Sequence, residues 1–501
     1  MIKTNRQYFF LLVPAMLLSW ILFKWAYPFA DFFVDSYTYI QAAADHDSIS
    51  YRPIGYSFFL RLVHALSASD TVLVTLQYGL VQSACLCLFF FLRRHCQLAT
   101  WAQGLIAAFL VLDPLIYYTC NYVSSDALFI ALSLFWLTVL LQLLRRPSWS
   151  GLILQLLLLS FIFYTRYVAL FYPVVAVLTF LLVRRNLFFK VTGIVASIAV
   201  IATATFYTRQ LTREQTGAPI FSAFSGWQMA NNALNMYPSI PPDTSGLPSP
   251  ACRALARYAN DYFEHGGTAP PGVTTAYMWE KNSPLHQYLN AYKKSNSSLR
   301  LSQPSLRRGA DTATLSYFIA WNRVAPVFSE YGYFLLRRHP LAFGRYYLWP
   351  SAKGFFLTPL DVFAIYNEGK KEVDPVAQQW FHYASPRPKV GSATIQATIF
   401  APFPWFFLLL NLGFATIGLL FFFSPGLRRR DPAFIPCLQL AAVYLLTNAC
   451  FNIFASPSVL RYQVLPLILL FTFVVAGISV WSNHLFALSY CSINDKSPSH
   501  E

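Results

Sequence analysis

Two aspartates stand four residues apart in the segment Ala30-Asp31-Phe32-Phe33-Val34-Asp35-Ser36-Tyr37-Thr38-Tyr39-Ile40, and Arg52 follows in Tyr51-Arg52-Pro53-Ile54-Gly55-Tyr56. A third aspartate lies in Val123-Ser124-Ser125-Asp126-Ala127. Two isolated arginines stand in Tyr164-Thr165-Arg166-Tyr167 and Val459-Leu460-Arg461-Tyr462. These residue types do complementary chemistry. A carboxylate can take the proton of a hydroxyl or amine as that group attacks. An arginine offers a planar fork that holds phosphate through two hydrogen bonds and stays charged. A base beside several such forks suits group transfer in which a phosphate departs. Each residue also has a plainer role. Asp31 and Asp35 fit solvated loop acids, and Asp126 fits a helix start, where the dipole favours negative charge. Arg166 fits a side chain snorkelling to lipid headgroups, and Arg52 fits a loop organiser beside Pro53.

The surrounding sequence is that of a membrane protein. Of 501 residues 56% are hydrophobic and 12% charged, where soluble domains carry about 25% charged residues. Aromatics reach 18%, which suits rings placed near lipid headgroups. The net charge of +16 raises nucleic acid as a partner, but its placement excludes that class. The basic residues come as short clusters between apolar runs: Arg93-Arg94, Arg145-Arg146, Arg184-Arg185 and Arg428-Arg429-Arg430. Such clusters mark the cytoplasmic side of spans. The eight cysteines show neither paired nor zinc-type spacing. Cys120 and Cys252 look external, and the sequence disfavours a disulfide between them.

A helix needs about 20 apolar residues to cross the hydrocarbon core. Residues 8–27, 71–92, 101–118, 125–144, 188–208, 398–423, 433–454 and 462–482 meet that need. The run 8–27 is too long for a signal-peptide core and has no small-residue cleavage site after it, so it reads as an uncleaved first span. The stretch Gly151 to Val183 is long for one span and short for two. An arginine in mid-membrane would cost about 3 kcal/mol or more, so two short helices meeting at Arg166 are expected. With ten spans and a cytoplasmic N-terminus, all four arginine clusters fall inside. The expected architecture is thus an all-α integral membrane protein of about ten transmembrane helices. Residues 1–208 form an N-terminal domain of seven spans with a first outer loop at 28–70. Residues 209–397 form a sizeable extracytoplasmic domain of mixed structure with interfacial helices, helical around 250–264 and 315–350. Residues 398–482 hold the last spans, and 483–501 form a cytoplasmic tail.

In this order, the motifs resemble those of the polytopic C-type glycosyltransferases (GT-C), the superfamily of protein mannosyltransferases and aminoarabinose transferases. The Asp-Ser-x-x-Tyr of Asp35 to Tyr39 and the Arg-Pro-x-Gly-Tyr of Arg52 to Tyr56 are similar to the family's first outer loop. Asp126 stands where the family has a second acidic site. Tyr164-Thr165-Arg166-Tyr167 resembles a Thr-Arg-Pro turn in which Tyr167 replaces the proline, and Arg461-Tyr462 resembles an Arg-Tyr pair that opens a late span. The likeness covers roughly 1–210 and 430–480; the 209–397 segment matches no known pattern.

The resemblance implies inverting transfer of a sugar from a polyprenyl- or dolichyl-phosphate donor to an acceptor (lipid, glycan or protein) outside the cytoplasm. It implies Asp35 as base, with Asp126 positioning acceptor or sugar hydroxyls. Arg166, Arg461 and Arg52 would neutralise the leaving phosphate, and Asp31, Tyr56 and Tyr462 would line the substrate site. Asp35, Asp126, Arg166 and Arg461 should then border one outward cavity with an apolar groove open to lipid. The expected partners are the lipid-linked donor, an acceptor of unspecified identity and membrane lipids. No cofactor is expected firmly; some family members use a divalent metal, but the sequence shows no dedicated metal site, and His382 and Glu368 near Trp380 lack ligand spacing. A bacterial inner membrane is favoured over the endoplasmic reticulum. The alternative is a polytopic transporter or lipid flippase, which would place charges within spans and repeat its halves.

Overall fold

The computed structural model describes residues 5–241, 246–270, 273–296 and 312–494. Among them there is no strand, and an isolated bridge between Asp31 and Tyr122 is the one extended pairing. Eight helices are long and apolar enough to cross a membrane: Asn5–Ala26, Asp70–His95, Thr100–Asn121, Ser125–Arg145, Leu187–Thr216, Ile395–Phe423, Phe434–Ala455 and Leu460–His484. Two shorter apolar helices, Trp149–Thr165 and Tyr167–Leu182, meet at Arg166. The protein is therefore a multi-pass, all-α membrane protein.

The helices start where capping chemistry allows it. Ser124, Ser148 and Asn186 each turn a side-chain oxygen to a backbone N–H in the following first turn, satisfying donors that a helix leaves open. Gly217, with φ of 78°, takes the left-handed conformation that ends Leu187–Thr216. Burial ranks the helices by position. Leu460–His484 has 83% of its apolar window inside the protein, whereas Asn5–Ala26 has 17%. The late helix that carries Arg461 in its first turn is the most deeply buried of these spans. The first helix presents Phe10, Leu18, Ile21 and Trp25 outward, as a lipid-facing helix must.

Two apolar cores result. One joins the long helices; the other gathers residues from Ala223 to Tyr347 around Trp227, Trp321, Phe328 and Tyr331. This second body was expected to be of mixed structure, but its described residues are helices and turns, including Ala223–Leu234, Pro250–Glu264, Pro284–Ser295 and Thr312–Arg338. Aromatic residues stack between these helices: the Trp227 and Trp321 rings lie 3.6 Å apart at 12°. Cys120 and Cys252 are both free and buried. The helix Val464–Asn494 runs on into the expected tail, whose residues 495–501 lie outside the described residues.

The ends of the bundle differ in chemistry. Ala26, Asp70, Asn121, Ser125, Thr165 and Leu460 meet at one end, tied by Lys24 Nζ to Asn121 Oδ1 at 2.9 Å and by Ala30 N to Asp70 Oδ2 at 2.7 Å. At the other end lie the arginine pairs, where Arg185 Nη1 donates to the Pro147 carbonyl at 2.6 Å and Gln97 N to Asp431 Oδ2 at 2.8 Å.

Candidate active site

At the first end, Asp35 sits in the opening turn of the helix Val34–Ala44 and is buried. Arg52 Nη2 pairs with its Oδ1. Arg461 Nη1 approaches its Oδ2 at 3.3 Å and Asp126 Oδ2 at 3.6 Å. Arg166 Nη1 pairs with Asp126 Oδ1, while Ser124 Oγ donates to Asp126 Oδ2 at 3.0 Å. Arg461 Nε lies 3.4 Å from Asp361 Oδ2. The result is an alternating chain, Arg52–Asp35–Arg461–Asp126–Arg166, with Asp361 attached at its centre. Three guanidinium groups and three carboxylates balance in charge, which is how a low-dielectric site holds so many ions.

Aromatic rings shape this chain. The Tyr462 ring lies under both Arg166 and Arg461, at 4.3 and 4.7 Å. Phe33 faces Arg461 at 4.6 Å, and Phe224 of the second body faces Arg52 at 4.6 Å. Such contacts hold guanidinium groups flat with their edges free for anions. Burial alone would push the Asp35 carboxyl up, but Arg52, Arg461 and Arg166 together hold it below its ordinary value. It is ionised and tightly engaged.

Local packing explains why Arg52 and Arg166 end up in one cluster. A Cβ on Gly55 would stand 2.6 Å from the Tyr164 carbonyl oxygen, so only glycine lets the helix Gly55–His64 touch the backbone just before Arg166. Pro53 precedes the cap residue Ile54 of that helix. The Arg-Pro-x-Gly segment thus works as a lock between two loops.

Not every expected residue joins the cluster. Asp31 is 1% exposed and turns away from it. Its Oδ1 accepts the N–H groups of Phe32 and Asn367, each at 2.8 Å, and its Oδ2 meets Gln396 Nε2 at 3.4 Å. Its backbone pairs with Asn121 and Val123. Burial pushes its carboxyl up to about 7. Asp31 thus ties neighbouring segments together and stands outside the arginine cluster. Tyr56 also stands outside the cluster: it is fully buried, its hydroxyl donates to Gln77 Oε1 at 2.6 Å, and its ring supports Tyr39 edge-on. His382 and Trp380 cluster with His64, apart from the arginines.

Two cavities flank the chain of charges. One, of about 350 Å³ including its open mouth, is lined by Asp126, Phe129, Arg166, Asn448, Arg461 and Tyr462 among others. Asp35 stands behind Arg461 rather than in this lining, so three of the four expected residues border it. The other, of about 630 Å³ including its open mouth, lies on the Arg52 side between Tyr164, Tyr167, Tyr207, Phe221 and Trp321. Tyr207 and Leu211 belong to the apolar helix Leu187–Thr216, so this cleft reaches the outer turns of a spanning segment. Asp361, Asn448 and Asn452 are the site residues that sequence reasoning missed. Asn448 and Asn452 did leave a signal: two amides one turn apart inside an apolar run.

Among the described residues no group of three or more His, Cys, Asp or Glu is placed to hold a metal ion. The three carboxylates nearest one another converge on Arg461, which a cation would have to displace. Compared with known proteins, the chain matches no family model, no curated protein and no solved structure.

Proposed function

We propose that this protein is a membrane glycosyltransferase of the GT-C type with ten spans. It moves a sugar from a polyprenyl- or dolichyl-phosphate donor to an acceptor on the extracytoplasmic face, with inversion. The observation that carries the reading is the clamped carboxylate: Asp35 buried between Arg52 and Arg461, with Arg166 one ion pair further on. In the reaction Asp35 takes the acceptor proton as the acceptor oxygen or nitrogen bonds to the sugar C1. The C1–O bond to the donor phosphate breaks and its electron pair leaves with that phosphate. Arg461 and Arg166 meet the charge that develops there.

The ion pairs fit this sequence of events. A carboxylate held low by arginines is a weak base. A donor phosphate competes for the same guanidinium edges, and each arginine it draws away returns basicity to Asp35. The base is thus strengthened by the presence of the donor. The aromatic cleft on the Arg52 side suits a prenyl chain or a lipid acceptor, since it opens beside an apolar helix. The arginine pairs, which lie at the end of the bundle away from Asp35, support an extracytoplasmic site.

The test is purified protein in vesicles with lipid-phosphate sugars and an acceptor extract, following transferred sugar and bound donor separately. Transfer should appear in the wild type, and Asp35→Asn should lower it by about 10²–10⁴-fold while donor binding changes little. Movement of the lipid or sugar across the vesicle without transfer, for every donor supplied, would replace this reading with a transporter.

A further inference from the structure

The cavity beside Asp126 holds an amide that no role so far explains. Asn448 is 4% exposed on the apolar helix Phe434–Ala455 and lines that cavity with Arg166 and Arg461. Its Oδ1 accepts Asn452 Nδ2 at 3.1 Å, which fixes the way the amide faces. Its Nδ2 has no hydrogen-bond partner. Arg461 Nε likewise makes no hydrogen bond, having only the 3.4 Å approach of Asp361. A buried donor left unsatisfied is costly, most of all in a membrane span. An unsatisfied amide donor sharing one cavity with the guanidinium groups of Arg166 and Arg461 points to a ligand that supplies acceptors.

The lining sorts by chemistry. The guanidinium groups of Arg166 and Arg461 suit an anion. The Asn448 amide, set apart from those charges on another helix, suits a neutral oxygen. Phe129 and Tyr462 provide flat apolar faces. We infer that this cavity takes the sugar-phosphate headgroup of the donor, with phosphate on Arg166 and Arg461 and a sugar hydroxyl oxygen accepting from Asn448 Nδ2. Asn448 is then a specificity residue: it recognises the sugar and not the phosphate. The inference rests on the proposed donor class, but it concerns binding and can be tested without turnover.

The experiment measures binding of inorganic phosphate and of a panel of hexose and aminohexose 1-phosphates to the purified protein. Thermal shift and calorimetry are read for the wild type, Asn448→Leu, Asn448→Ala and Arg461→Ala. In the wild type at least one sugar phosphate should bind about tenfold or more tighter than inorganic phosphate, the worth of roughly one good hydrogen bond. Asn448→Leu and Asn448→Ala should erase that advantage and leave phosphate binding unchanged, whereas Arg461→Ala should weaken both ligands. Asn448→Leu should also melt no lower than the wild type, because Asn452 Nδ2 keeps its 2.8 Å bond to the Asn448 carbonyl and a partnerless donor is removed. Three results would overturn the inference: equal binding of phosphate and every sugar phosphate, an advantage that survives both Asn448 variants, or a clearly lower melting temperature for Asn448→Leu. Asn448-dependent sugar-phosphate binding without any transfer would keep this pocket and discard the transferase.

Discussion

Asp31 and Asp35 lie one turn apart in sequence, are both buried, and meet opposite surroundings. Around Asp31 the partners are neutral: two backbone N–H groups and an amide. Around Asp35 they are guanidinium groups from two distant segments. Burial governs the first and pushes its carboxyl up to about 7; the arginines govern the second and hold it low. Neutral donors make a tie that holds loops together with or without charge. Charged donors make a site that must stay ionised and that an anion can reorganise. Residue type and spacing alone do not separate the two roles; what faces each carboxylate does.

The contrast is sharpest at Arg461, the cation that reaches Asp35, Asp126 and Asp361. Arg461→Ala leaves buried carboxylates without their shared partner, which costs about 3–5 kcal/mol of stability, and it should weaken both donor binding and turnover. Denaturant unfolding and donor binding check this side by side. Arg387→Ala is the control, since its pair with Glu372 is exposed on both sides and exposed pairs contribute little. Equal, small effects of the two substitutions would erase the distinction between a charged site and a solvated pair.

A smaller loss is expected from Gly55→Ala. The added methyl meets the backbone of Tyr164, which cannot move aside cheaply, and overpacking of this kind costs about 1–3 kcal/mol. Because the lock holds Arg52 and Arg166 in one cluster, transfer should fall further than the melting temperature alone would explain. A stable Gly55→Ala protein with full activity would show that the two loops are positioned independently.

The smallest effect belongs to Asp31 and has a definite pH signature. With a folded value near 7 and an ordinary unfolded value near 4, the folded state holds its proton more tightly. Its contribution is fully present below about pH 4 and is lost as pH rises towards about 7. Asp35, held low, contributes in the opposite direction: its stabilisation is present above its ordinary value and is lost as pH falls through the lowered one. Asp31→Asn should therefore flatten the decline in melting temperature between about pH 4 and 7. The substitution should also be tolerated, because Gln396 Oε1 has no partner and can accept from the new amide. A decline unchanged in Asp31→Asn would place its cause elsewhere.

Much of this was legible in the sequence because membranes write plainly. Apolar runs of spanning length and arginine clusters at their ends give the helices directly, and Arg166 marks the break between two short ones. The alternation of sides then gathers Asp35, Arg52, Asp126, Arg166 and Arg461 at one end, where the structure brings them into contact. Asp361 was not legible. It reaches Arg461 only because Leu460 N bonds the Pro359 carbonyl at 3.0 Å, a contact between segments about a hundred residues apart that no local pattern announces. The packing role of Arg-Pro-x-Gly-Tyr was not legible either: its glycine meets the Tyr164 backbone and its tyrosine bonds Gln77. The helical second body hid behind aromatic, proline-rich sequence whose rings stack between helices.

The central claim is that the carboxylate facing arginines does chemistry and the one facing amides does not. It is tested most directly by measuring sugar transfer from a lipid-phosphate donor for Asp35→Asn and Asp31→Asn in parallel, at a temperature where both are folded and bind donor. The account predicts that Asp35→Asn loses about 10²–10⁴-fold in transfer while Asp31→Asn stays within a few-fold of the wild type. Near-normal transfer by Asp35→Asn, or an equal collapse in both, would contradict it.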